Sequence, residues 1–69
     1  MSYKVLDVVK TRIDLPADGI AAGTVGTIVD LYADGELEVE FANDRGETLA
    51  LVAMAPDQLQ SAHPLRRAA

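Results

Sequence analysis

Cysteine and tryptophan are absent from this chain, and histidine occurs once, as His63. Without cysteine there is no disulfide and no thiolate metal site, and nothing in the chain requires an oxidising compartment. A zinc site would have to combine His63 with carboxylates, a poor match to the nitrogen and sulfur ligands zinc prefers. Serine is confined to Ser2 and Ser61, near the ends, so no histidine-plus-nucleophile arrangement is read for acyl transfer. No catalytic apparatus and no cofactor are expected.

Aromatic residues are nearly as scarce: Tyr3, Tyr32 and Phe41. A proline-rich ligand needs an aromatic-lined groove, a methyl-lysine reader an aromatic cage, and a single-strand nucleic-acid binder stacking platforms on a basic track. The chain lacks the residues for all three. No apolar run approaches the ~18 residues that cross a bilayer. The start, Met1-Ser2-Tyr3-Lys4, leads directly into a short strand pattern interrupted by Asp7 rather than into a secretory leader. The cytoplasm is the expected compartment.

Acidic residues are what the chain has in excess, eleven against six basic, for a formal net charge of −5. That sign repels phosphate backbones and anionic lipid and suits a basic partner. The expected partner is another polypeptide, with neither nucleic acid nor membrane. The chain's 69 residues allow one domain. A chain this short buries only about 60% of its unfolded surface, so a partner or second copy would help it.

The pattern along the chain is that of strands. Val5 to Thr11 is rich in β-branched residues and reads as a first strand, with Val9 inward. Arg12 to Ala22, with Pro16 and Asp18-Gly19, reads as a long surface loop. A second strand is expected from Gly23 to Tyr32; its apolar positions Val25, Ile28, Val29 and Leu31 break a period of two, which a bulge near Gly26 would explain. Ala33-Asp34-Gly35 is a hairpin turn. In the third strand Leu37, Val39 and Phe41 alternate with Glu36, Glu38 and Glu40, one face buried and one wet. Asn43-Asp44-Arg45-Gly46 turns the chain again. A fourth strand, Glu47 to Ala53, is apolar on both faces, with Leu49 and Leu51 on one and Ala50 and Val52 on the other. Ala55 to Leu59 reads as one helical turn and Leu59 to Ser61 as a closing strand. The fold class is all-β: a small five-stranded SH3-like barrel with a long loop after strand 1 and a single helical turn before the last strand. Residues 1–61 are assigned to the barrel and 62–69 to a flexible C-terminal tail.

Asp7-Val8-Val9, Leu15-Pro16, Gly23-Thr24-Val25-Gly26-Thr27-Ile28-Val29 and Glu38-Val39-Glu40-Phe41 come in an order that resembles a small bacterial SH3-like family, the domain of unknown function numbered 4926. Thr48-Leu49-Ala50-Leu51 and Pro56-Asp57-Gln58-Leu59 extend the likeness over roughly Leu6 to Leu59. The glycine-rich segment alone recurs in KOW motifs and in a photosystem I barrel subunit; the two ends together are more specific. The resemblance implies a fold and no activity. It implies structural roles for Gly23 and Gly26 and an interior made of Val25, Ile28, Val39 and Phe41.

Two surfaces remain as candidates. Asp30, Asp34, Glu36, Glu38 and Glu40 form an expected acidic face for a basic partner. Glu38 and Glu40 lie about 6.5–7 Å apart along a strand, a spacing that superficially fits a glycosidase pair. They sit on the wet side with nothing to raise a pKa, so a solvated face is the preferred reading. A divalent-cation site on this hairpin would lack the loop geometry of known calcium sites. Ala50 and Val52, with Met54, form the expected oligomer surface of a homodimer. Function is expected to be a non-catalytic protein-interaction module. The alternatives are an immunity- or antitoxin-type inhibitor of a basic toxin and a purely structural homo-oligomer.

Overall fold

A computed structural model describes residues 2–62; His63 and the Leu65-Arg66-Arg67 patch lie outside the described residues, as does all but Ala62 of the expected tail. Five antiparallel strands form one sheet: β1 (Val8–Thr11), β2 (Val25–Leu31), β3 (Leu37–Ala42), β4 (Thr48–Met54) and β5 (Leu59–Ser61). Their order is β4-β3-β2-β1-β5. The arrangement is compatible with an SH3-like barrel that no β4–β5 ladder closes. Two 3-10 turns, Pro16–Asp18 and Pro56–Gln58, are the remaining regular elements, and among the described residues no helix is long and apolar enough to cross a membrane.

The alternation in β3 sets the inside of the sheet. Leu37, Val39 and Phe41 are buried while Glu38 and Glu40 stay partly in water. Val9, Ile20, Ile28, Met54 and Leu59 complete the core. Both hairpins flanking β3 use the same device. Gly35 N–H donates to the Tyr32 carbonyl (3.0 Å) and Gly46 N–H to that of Asn43 (2.9 Å), and both glycines have positive φ, +94° and +82°. No other turn residue there has positive φ. Each is therefore a β-turn closed by a left-handed glycine, in a three-residue loop. Asp34 and Asn43 reinforce them, each accepting a backbone N–H through its side-chain oxygen, from Glu36 and from Arg45 and Glu47.

Four expectations change. The register shift in β2 falls between Ile28 and Asp30, at Val29, and not near Gly26. Gly26 instead lies regularly opposite Val9 on the inward face. A Cβ there would come within 2.8 Å of Val39 Cγ1 and 2.9 Å of the Glu40 carbonyl oxygen. The glycine is thus present for close approach of two strands. Val25, expected inside, pairs with Lys10 on the outer face and is 45% exposed. The long loop is also more than surface: Leu15 and Ile20 exchange backbone bonds of 2.7 and 3.1 Å, and Ile20 is buried in the core. Finally, β1 begins at Val8; Lys4 to Asp7 make a turn in which exposed Leu6 holds φ of +79° and donates to the Ile28 carbonyl.

β5 is three residues long and pairs only with β1, Val9 opposite Ser61 and Thr11 opposite Leu59. Arg12 ties this seam, its Nε donating to the Leu59 carbonyl (2.8 Å).

Candidate interaction surface

β4 decides the surface chemistry because it is the longer of the sheet's two edge strands. Among the described residues its backbone pairs with β3 alone, which leaves the donors and acceptors of its other side without a strand partner. Thr48-Leu49-Ala50-Leu51-Val52-Ala53-Met54 contains no charge and no proline. Natural sheets commonly protect such an edge with lysine, proline or a covering segment, because it otherwise templates a further strand. One bulge interrupts this edge: Leu49 is skipped between the pairs Phe41–Ala50 and Ala42–Thr48.

The two faces of β4 are assigned opposite to expectation. Ala50 and Val52 turn inward and pack against the core, and Met54 is fully buried. Leu49 and Leu51 face water, each 56% exposed. The register supplies the reason. Ala50 sits opposite Phe41 and Val52 opposite Val39. Cross-strand partners share a face, so the pairing with inward Phe41 and Val39 puts Ala50 and Val52 on the inner side of the sheet. The expected oligomer surface, Ala50 and Val52, is therefore half-buried against the core, and the more exposed apolar pair is Leu49 and Leu51.

Three of the five expected acidic residues come together. Asp30 and Glu38 are direct cross-strand partners, and Glu40 follows two residues along the same face. Glu38 in turn sits opposite Ala53 and Glu40 opposite Leu51, so these carboxylates flank the exposed leucines on the outer face. Like charges in direct opposition cost stability unless something neutralises them. Asp34 does not join the row, since its carboxylate holds the turn. Glu36 stands at the strand entrance, its carbonyl accepting the Tyr32 N–H. Glu40 also accepts a hydrogen bond from the Thr48 hydroxyl. Among the described residues no three His, Cys, Asp or Glu side chains are placed to hold a metal ion.

Tyr3, Arg12, Pro56, Asp57 and Leu59 line an open depression of about 480 Å³.

The exposure of the leucines could not be read from the sequence, because an apolar strand gives no parity signal. The edge position could have been suspected from the chain order: a strand that follows two tight hairpins and precedes a turn has one assured neighbour. The family described as Domain of unknown function (DUF4926) matches residues 5–61. No curated protein and no solved structure matches the chain.

Proposed function

The chain belongs to the DUF4926 family, and we propose that it is a non-catalytic interaction module that binds another polypeptide by strand addition to β4. One observation carries this reading: an uncharged seven-residue edge strand that presents Leu49 and Leu51 to water beside an unpaired backbone. Strand addition draws affinity from main-chain hydrogen bonds and selectivity from alternate side chains. The edge supplies the first and the leucines with their acidic flank supply the second. The inhibitor of a basic toxin is a special case of this reading, and the structural homo-oligomer is its competitor. A cytoplasmic setting belongs to the reading, since a cysteine-free chain needs no oxidising compartment.

The test is the double variant Leu49→Lys/Leu51→Lys, which adds the edge charges that natural sheets use to prevent pairing. Both side chains are exposed, so the variant should keep the wild-type circular dichroism spectrum. It should lose the partners that immobilised wild-type protein retains from native lysate. Identical retained sets would remove β4 from consideration. Self-association of the wild type by light scattering, abolished in the variant, would favour the homo-oligomer.

A further inference from the structure

Resting on the strand-addition reading, we infer that the segment β4 accepts is extended and cationic, with lysine or arginine at every second residue. The charge distribution carries the argument. On the outer face the rows run Asp30–Glu38–Ala53 and Thr27–Glu40–Leu51, each ending at the unpaired edge. A strand added beyond β4 lies ~5 Å from it and ~10 Å from β3. Its outward side chains would thus stand one strand beyond the leucines and two beyond the glutamates. A lysine or arginine is the side chain that spans this gap: its methylene stem lies on Leu49 or Leu51 and its charged head reaches Glu38 or Glu40. The same contact covers the exposed apolar pair and offsets the Asp30–Glu38 opposition. Side chains on one face of a strand recur with a period of two, so the basic residues must alternate.

A second copy is a poorer occupant. This chain carries net charge −5, and β4 itself has no basic residue to set against the partner's glutamates. Pairing two such edges would bury the leucines and leave both acidic rows uncompensated.

The experiment titrates three capped seven-residue peptides into the full-length, isotope-labelled protein and follows its backbone amide resonances. The first is Thr-Lys-Val-Lys-Val-Lys-Thr. The second has the same composition rearranged as Thr-Lys-Lys-Val-Val-Lys-Thr, which splits the lysines between two faces. The third replaces every lysine by glutamine. The alternating basic peptide should shift the amides of Thr48 to Met54 and bind more tightly than the other two. Glu38→Gln/Glu40→Gln should weaken it by about three- to tenfold, the scale of two exposed ion pairs.

If the glutamine peptide shifts the same amides equally well, strand addition stands and the cationic specification falls. If no peptide shifts β4, both fall. Shifts spread over all acidic residues, insensitive to lysine order, would mean diffuse charge attraction and overturn the proposal. A mass that doubles with protein concentration and blocks the peptide would give the edge to a second copy. Binding seen only after Arg66→Gln/Arg67→Gln would give it to the chain's own C-terminal residues.

Discussion

Replacing Gly26 by alanine adds one methyl group at the most crowded point of the sheet. The new carbon would sit 2.8 Å from Val39 Cγ1, 2.9 Å from the Glu40 carbonyl oxygen and 3.0 Å from Phe41 Cδ1. Val39 and Phe41 are completely buried and cannot swing away. The Glu40 oxygen belongs to the backbone of the strand paired with β2, so moving it disturbs the ladder. Overpacking of this kind costs about 1–3 kcal/mol. Alanine returns about 0.4–1 kcal/mol by restricting the unfolded chain. The net expectation is a loss of about 1–2 kcal/mol, and at about 4–8 °C per kcal/mol for a chain of this size the melting temperature should fall by about 5–15 °C. Thermal unfolding followed by far-ultraviolet circular dichroism measures it. Gly46 is the control, because its φ of +82° stands in open space. There asparagine should recover most of what alanine loses, since asparagine tolerates the left-handed region. At Gly26 asparagine should be worse than alanine. A melting temperature for Gly26→Ala equal to or above wild type would refute the close-approach argument.

Phe41→Ala should cost about 3–5 kcal/mol, a large share of the roughly 3–10 kcal/mol available to a domain of this length. Amide dispersion by NMR should largely collapse at 37 °C, and a loss of under 1 kcal/mol would mean Phe41 is not the centre of the core. Thr11→Val tests a buried hydroxyl that accepts the Ile13 N–H (3.1 Å) and donates to the Ile13 carbonyl (2.8 Å). Orphaning those two groups should cost about 1–3 kcal/mol in urea unfolding, and an unchanged midpoint would show that water replaces the hydroxyl.

The sequence was legible wherever polarity alternated. Leu37, Val39 and Phe41 against Glu38 and Glu40 leave one way to place β3, and the Gly35 and Gly46 turns fix the strands on either side. Legibility failed where polarity was uniform. β4 offers an apolar residue on either face, and only its register, opposite Phe41 and Val39, puts Ala50 in and Leu51 out. The inward turn of Gly26 is hidden because glycine has no side chain to betray a face, and the break in period points to the glycine although Val29 carries the slip. Ile20 stays hidden because a proline-and-glycine-containing stretch gives no sign that one of its residues returns to the core. Of the candidate site, the acidic row was visible as composition, but its division into Asp30, Glu38 and Glu40, apart from Asp34, needed the register.

The seam between β1 and β5 has a consequence for how the chain assembles. β2, β3 and β4 are neighbours in sequence, joined by tight turns, and each pairing closes only a short loop. β5 must find β1 across about fifty residues, with three residues of ladder and the Arg12–Leu59 bond as reward. Long closures are entropically late and short ladders open first. The meander is therefore the early-forming part, and the β1–β5 pairing arrives last and leaves first. Until they meet, Leu59 is missing from the core, so a nascent or heat-stressed molecule exposes the interior that β5 otherwise covers.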